Sequence, residues 1–124
     1  MPSPEEIRAV MERYAKLMCE SDAEGIAELY ATEATVEDPV GGPVIRGRDV
    51  IRGFYAAAVP NLRVEITGPI CVAEKECATP ILAELTVGDR KSYIDVIDVM
   101  AFDDDGKITS MRAFWNPADI RPTR

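Results

Sequence analysis

The fold of this chain is set by the stretch Tyr93-Ile94-Asp95-Val96-Ile97-Asp98-Val99-Met100-Ala101-Phe102, which alternates as a β-strand does. Successive side chains on a strand point to opposite faces, so Ile94, Val96, Asp98, Met100 and Phe102 share one face. Turn-forming residues flank the stretch at positions 88–89 and 103–106. The stretch therefore predicts a strand joined by hairpins to strands over residues 79–87 and 107–115.

Outward from these hairpins, the chain divides into a helical first half and a strand-rich second half. Ser3, Pro4 and Glu6 form a helix start with a capping box, and apolar residues then recur every three or four positions up to residue 18. Further helices are predicted over residues 22–30 and 48–58, with a short strand at residues 34–38 between them. Strands at residues 62–66 and 70–75 precede the hairpins. The order predicts an α+β fold with three N-terminal helices packed on a curved, mostly antiparallel sheet, in a single domain over residues 1–124.

Composition excludes several classes of function. The net charge is −8 and the pI about 4.5, so a nucleic-acid partner is not expected, because its phosphates would be repelled. No apolar stretch approaches the roughly 18 residues needed to span a bilayer, and no secretory signal is visible. The three cysteines lack metal-ligand spacing and fit reduced thiols of a cytoplasmic protein.

Histidine is absent from the chain. Its absence removes the commonest general base and zinc ligand, and with them the Ser-His-Asp and Cys-His arrangements. Acid–base chemistry in this protein must therefore use aspartate, glutamate, tyrosine or lysine.

Asp98 is the only polar residue on the apolar face of its strand, and no Lys or Arg accompanies it. An ionised carboxylate buried without a partner is so costly that the group usually binds a proton instead. Burial can raise such a pKa from about 3.9 into the range of about 7–9. Asp98 is therefore predicted to be a neutral hydrogen-bond donor, unless it faces a water-filled cleft or pairs with a distant Arg.

Two more polar groups fall at positions that periodicity assigns to the interior. Tyr14 lies in the middle of the apolar stripe of the first helix, where a core tyrosine bonded to backbone is the simpler interpretation. Asp38 shares a strand face with Ala34 and Val36, although a strand-end aspartate before Pro39 would give the same pattern. A carboxylate base and two neutral donors around an apolar hollow suit proton abstraction next to a carbonyl, because the donors stabilise the enolate oxygen.

Five segments resemble bacterial ketosteroid isomerases in order and spacing, over nearly the whole chain. They are Arg13-Tyr14, Ala34-Thr35-Val36-Glu37-Asp38-Pro39, Phe54-Tyr55, Val96-Ile97-Asp98-Val99-Met100 and Met111-Arg112-Ala113-Phe114-Trp115. A tyrosine paired with a protonated aspartate is the known oxyanion hole of that family. The resemblance implies a homodimer of conical domains, each with a cavity for a hydrophobic steroid, and it implies no metal and no cofactor.

The resemblance also implies roles for individual residues. Asp38 resembles the base that moves a proton from C4 to C6 of a Δ5-3-ketosteroid, and Tyr14 and Asp98 resemble the donors to the dienolate oxygen. The remaining matches are substrate-site residues: Tyr30 and Tyr55 behind Tyr14, Trp115 near the base, and Phe54, Met100 and Met111 in the cavity. Residues 77–81 and 56–60 depart from the family pattern, which leaves the steroid preference open.

Two alternatives remain at this point. One is a cyclase or epoxide hydrolase on the same fold, which would need a carboxylate–Arg–carboxylate set around a water molecule; the apolar faces contain no Arg. The other is a non-catalytic protein that binds a small hydrophobic ligand, since this fold supports many functions. A binder has no need of an inward-facing base, so we expect the isomerase.

Overall fold

The computed structural model describes residues Met1–Arg124 and has the expected α+β architecture. The helices are α1 (Pro4–Cys19), α2 (Ala23–Glu28) and α3 (Arg48–Ala58). The strands are β1 (Tyr30–Glu37), β2 (Val44–Arg46), β3 (Leu62–Ile66), β4 (Cys71–Ala73), β5 (Glu76–Val87), β6 (Arg90–Phe102) and β7 (Ile108–Phe114). Short 3₁₀ turns occupy Val59–Asn61 and Pro117–Asp119.

All seven strands belong to one sheet with the order β2-β1-β7-β6-β5-β3, and β4 pairs with the first part of β5. Every pairing is antiparallel except that of β1 with β7, which is parallel. The prediction of a mostly antiparallel sheet is therefore confirmed. The parallel pair brings the end of β1, and Asp38 just after it, beside the end of β7.

The hairpin of β5 and β6 forms the longest pairing in the sheet and positions Asp98. Its register runs without interruption from Glu76 opposite Ala101 to Val87 opposite Arg90. Gly88 in the turn has a φ of 65°, a conformation that glycine adopts without strain. This register places Asp98 between Thr79 on β5 and Ala113 on β7.

The helices pack against one face of the sheet and bury an apolar core. Helix α1 starts with the predicted capping box, in which Glu6 N donates to Ser3 Oγ and Ser3 N donates to Glu6 Oε1. Its buried residues include Ile7, Met11 and Tyr14, which join side chains of the sheet in a single cluster. The longest apolar helix falls short of what a membrane crossing requires.

The structure differs from the sequence-based boundaries at several places, of which the following bear on the site. Helix α2 ends at Glu28, and Tyr30 begins β1 instead of continuing the helix. The helical prediction for Tyr30 was wrong because its backbone pairs with Ile108 of β7, a partner distant in sequence. Asp38 lies one residue beyond β1, and the edge strand β2 was not predicted because its three residues lie in a Gly- and Pro-rich region.

Candidate active site

An apolar cavity of about 240 Å³ lies between the helices and the sheet, and the three predicted polar groups meet in its wall. Tyr14 comes from α1, Asp98 from β6, and Asp38 from the turn after β1. Twelve of the fourteen lining residues are hydrophobic. The remainder of the wall consists of Met18, Phe54, Ala58, Leu62, Val64, Ile81, Ala83, Leu85, Val96, Ala113 and Trp115.

Asp98 is the most deeply buried carboxyl group of the site, with 5% of its surface exposed. It forms no salt bridge, and no protein group donates a hydrogen bond to it. Burial, and secondly the charge of Asp38, raise the pKa of Asp98 to about 8. The carboxyl group is therefore mostly neutral at pH 7 and has a proton to donate into the cavity.

Repulsion between the carboxyl groups of Asp38 and Asp98 raises the pKa of Asp98. Burial raises the pKa of Asp38 above its ordinary value, while a hydrogen bond from Trp115 acts in the opposite direction. Asp38 ionises while Asp98 still holds its proton, so only the second ionisation meets an existing charge. The pair therefore provides one base and one acid at neutral pH.

Asp38 is partly exposed and is held by the indole of Trp115. Trp115 Nε1 donates a 2.6 Å hydrogen bond to Asp38 Oδ1. The bond leaves Oδ2 of Asp38 without a protein partner, and Asp38 lines the cavity. An indole N–H is a donor only, so it orients the carboxylate and favours its ionised form but cannot accept the proton that Asp38 gains.

The hydroxyl of Tyr14 belongs to a chain of three buried phenols. Tyr14 Oη lies 2.9 Å from Tyr55 Oη, which lies 2.6 Å from Tyr30 Oη. Burial raises the pKa of all three well above the ordinary tyrosine value, so all three remain neutral. When Tyr30 donates to Tyr55 and Tyr55 donates to Tyr14, the proton of Tyr14 is directed into the cavity.

The other residues predicted to contact substrate divide into two groups. Phe54 and Trp115 line the cavity, whereas Tyr30 and Tyr55 lie behind Tyr14 and do not reach the wall. Met100 and Met111 are buried in the core outside the cavity, with 0% and 1% of their surface exposed.

The two methionines lie deeper in the fold than the residues that line the cavity. Met100 and Met111 are paired across β6 and β7 on the inward face. Alternation along a strand predicts that face correctly, but it does not reveal how far the cavity extends along it. The part of the face that carries these two residues is filled by core side chains.

Residues from β3 and β5 form much of the cavity wall, and none was named from the sequence as a site residue, although Ile81 lies in the 77–81 segment that departs from the family pattern. Leu62, Val64, Ile81, Ala83 and Leu85 all contribute. Their alternation indicated an inward face, but apolar side chains at a core and at a cavity give the same pattern. One polar residue on that face was also missed: Thr79, which is fully buried.

Comparisons with known proteins agree with this geometry. Residues 7–111 match the model of the SnoaL-like domain. The steroid Δ-isomerase of Nocardioides simplex is 41% identical over 116 residues, which cover 93% of this chain and 94% of that protein. The epoxide hydrolase LasB of Streptomyces lasalocidi is 26% identical over 96% of the chain, but the match covers only 44% of that protein.

A solved structure shares the fold throughout. It is that of SalBIII, described as an epoxide hydrolase/cyclase-like enzyme with a role in pyran ring formation in the polyether salinomycin. The two proteins have a TM-score of 0.92 and 29% identity, and the match covers 99% of this chain and 100% of that one. This chain belongs to the SnoaL-like domain family and, within it, to the bacterial ketosteroid isomerases.

Proposed function

We propose that this protein converts Δ5-3-ketosteroids into conjugated Δ4-3-ketosteroids by moving a proton from C4 to C6. The observation that carries the proposal is a carboxylate base, a neutral carboxylic acid and a phenol facing the same apolar cavity. The 41% identity to a steroid Δ-isomerase over nearly the full length of both proteins supports it.

Asp38 performs the proton transfer in this mechanism. Its carboxylate removes a proton from C4, and the electrons of that C–H bond form the C3–C4 double bond while the C3 carbonyl becomes an enolate. The same proton then passes from Asp38 to C6, where the electrons of the C5–C6 double bond form the new C–H bond. The electrons of the C3–C4 double bond move to C4–C5, and the C3 carbonyl is restored. The elevated pKa of Asp38 makes it a better base than an exposed aspartate.

Tyr14 and Asp98 stabilise the dienolate oxygen between the two proton transfers. Both groups are neutral and buried, so their hydrogen bonds act in a medium of low polarity, where they are stronger than in water. An ionised Asp98 would instead repel the negative charge that develops on the oxygen. The proposal therefore requires Asp98 to hold its proton during turnover.

The test is the appearance of the conjugated enone, followed by its ultraviolet absorbance, when the folded protein is mixed with a 5-ene-3-ketosteroid. We expect a rate far above that of buffer, and a loss of that rate when a phenol that mimics the dienolate is added. Folded protein that binds the steroid but forms no enone would support the non-catalytic binding alternative.

The pH dependence of catalysis offers a second prediction. Asp98 is a donor only below its pKa of about 8, so kcat/KM is expected to fall as the pH rises through this value. The alkaline decrease should be absent from Asp98→Asn, whose amide does not ionise, although that variant is slower throughout. A wild-type profile that is flat from pH 6 to about 10 would contradict the role given to Asp98.

Epoxide opening is the second candidate, favoured by the close structural match to SalBIII. A neutral acid and a carboxylate could protonate an epoxide oxygen and activate a nucleophile, respectively. The cavity wall contains no arginine, so the carboxylate–Arg–carboxylate set expected of a water-holding hydrolase is missing. Turnover of a hydrophobic epoxide without enone formation from a ketosteroid would favour this candidate.

We propose that the protein is a homodimer formed through the outer face of the sheet. Ile97 and Phe114 are directly paired across β6 and β7 on that face and are 42% and 41% exposed, so they form adjoining apolar surface that an interface would cover. Phe114→Glu would place a buried charge on each side of such an interface, so we expect a monomer. Sedimentation velocity of the wild type and the variant measures the change, and a monomeric wild type would contradict the proposal.

We also propose a cytoplasmic location. Cys19, Cys71 and Cys77 are all free thiols. Unpaired thiols suit a reducing compartment, where they persist without forming disulfides between chains. Fractionation of the native cells, with detection by an antibody, would test this location.

A further inference from the structure

The hydroxyl group of Thr79 is the one buried side-chain polar atom in the protein that has no hydrogen-bond partner. The residue is 0% exposed and lies in the middle of β5. A buried polar group without a partner loses its bonds to water and gains nothing in return, so such groups are rare in native proteins. The unpaired Thr79 hydroxyl therefore indicates a hydrogen-bond partner that it can reach by rotation, or a functional role.

The register of the sheet places Thr79 directly opposite Asp98. Both side chains are buried on the inward face, and the Cβ atoms of directly opposed residues lie about 4.5–5.5 Å apart. Two short polar side chains can bridge this distance after rotation about their Cα–Cβ bonds, without movement of the backbone. Asp98 also lacks a donor from any other protein group.

The remaining positions of the sheet around Asp98 carry no hydroxyl group. Ala113 lies opposite it on β7, and Val96 and Met100 precede and follow it on the same face of β6. Thr79 is therefore the residue with a hydroxyl group that the strand register places directly beside this carboxyl group. Residues 77–81 are also one of the two segments in which the chain departs from the ketosteroid isomerase pattern.

We propose that the Thr79 hydroxyl donates a hydrogen bond to the carbonyl oxygen of the neutral Asp98 carboxyl group and thereby directs the Asp98 O–H into the cavity. A carboxylic acid has one O–H, and the acid can donate to a substrate only when that O–H faces the substrate. A donor on the other oxygen selects that orientation. Thr79 is thus a positioning residue, which acts through Asp98 and does not contact the reacting atoms.

The thiol of Cys77 is the rival partner for this hydroxyl. Cys77 lies two residues from Thr79 on the same face of β5 and is buried. Burial raises the pKa of the Cys77 thiol, and the nearby Thr79 hydroxyl acts in the opposite direction. Any experiment on Thr79 must therefore distinguish a hydrogen bond to the Asp98 carboxyl group from one to the Cys77 thiol.

Infrared spectroscopy of the ligand-free protein tests the proposal without any assumption about the reaction. The carbonyl band of protonated Asp98 is identified with carbon-13-labelled aspartate and by its loss in Asp98→Leu. Removal of a donor from a carbonyl oxygen strengthens the C=O bond, so Thr79→Val should move the band to higher frequency. The variant should also hold the proton to higher pH, because a hydroxyl donor favours the charged carboxylate.

Other titratable groups could move with Asp98, so they are monitored in the same titration. Those that interact with it are Tyr14, Tyr30, Tyr55, Asp38 and Cys77. The phenols stay neutral throughout the range used, and Asp38 ionises before Asp98. Cys77→Ala serves as the control for the thiol.

The expected spectra of the variants distinguish Asp98 from Cys77 as the partner of the Thr79 hydroxyl. Thr79→Ser keeps the hydroxyl and should retain the wild-type band and midpoint, even if loss of the methyl group reduces stability. A Thr79→Val spectrum that coincides with the wild type would overturn the proposal. So would a Cys77→Ala spectrum with the same changes as Thr79→Val, because the hydroxyl would then serve the thiol.

The consequence for turnover rests on the proposed isomerase activity. Loss of one neutral hydrogen bond is worth about 2- to 10-fold, so Thr79→Val should lower kcat by about that factor with little change in KM. The same substitution should have no effect in an Asp98→Leu background, because there is no carboxyl group left to position. Absence of enone formation in the wild type would reject the proposed function but leave the infrared result intact.

Discussion

Asp38→Asn is expected to lower kcat by about 10²–10⁴-fold, because the amide cannot accept the proton from C4. Steroid affinity should change little, since the amide has nearly the shape of the carboxylate and Trp115 Nε1 can still donate to its oxygen. Enone formation under saturating steroid measures kcat, and quenching of the Trp115 fluorescence or equilibrium dialysis measures binding.

Glu37 provides the matched control for this experiment. It is the adjacent carboxylate, but it points to the other side of β1 and pairs with Arg112, whose Nε lies 3.0 Å from Glu37 Oε1. Glu37→Gln should keep nearly full activity. Asp38 would not be the base if Asp38→Asn retained more than about a tenth of the wild-type kcat. The same conclusion would follow if Glu37→Gln lost as much activity as Asp38→Asn.

Tyr14→Phe and Asp98→Leu are each expected to lower kcat by about 10²–10³-fold, because each removes one donor from the dienolate oxygen. In the proposed mechanism the two donors act on one oxygen atom, so the effect of the double variant should be smaller than the product of the single effects. Binding of a phenol, as a stable mimic of the dienolate, should weaken in both single variants. Calorimetric titration of each variant with the phenol measures this loss.

Two residues of β6 outside the cavity wall, the exposed Asp95 and the half-buried Tyr93, serve as controls for the donors. Asp95 lies on the outer face and pairs with Arg121, and Tyr93 lies outside the cavity wall. Asp95→Leu and Tyr93→Phe repeat the two chemical changes away from the site and should leave kcat unchanged. Phenol binding to Asp98→Leu as tight as to the wild type would remove Asp98 from the oxyanion hole.

Much of the fold could be predicted because its signals are local. The capping box at Ser3 and the turn at Gly88 act through residues that are neighbours in sequence, and the structure reproduces both. Local signals fail at Tyr30, because the sequence pattern over residues 22–30 predicts a helix but Tyr30 pairs with β7 as part of a strand. Local preference is weaker than a strand partner supplied by tertiary contacts.

The sequence is more informative about some residues of the candidate site than about others. Asp98 was identified because a lone carboxyl group on an apolar strand face is visible in the alternation, and its burial follows from the same pattern. Met100 lies on the inward face, as the alternation predicts, but among core side chains and not among the residues that line the cavity. Thr79 was missed because a threonine in a strand is ordinary, and only the register shows that it opposes Asp98.

The class of fold, the face on which Asp98 lies and the exclusion of histidine chemistry follow from the amino-acid sequence, because they depend on residue type and short-range periodicity. Four relations come from the folded chain alone: the polar groups that share a cavity, the bond from Trp115 to Asp38, the linked phenols, and the residues that oppose one another across strands. Those relations join residues far apart along the chain. Their distances follow from how the helices and the sheet pack together, which no local pattern encodes.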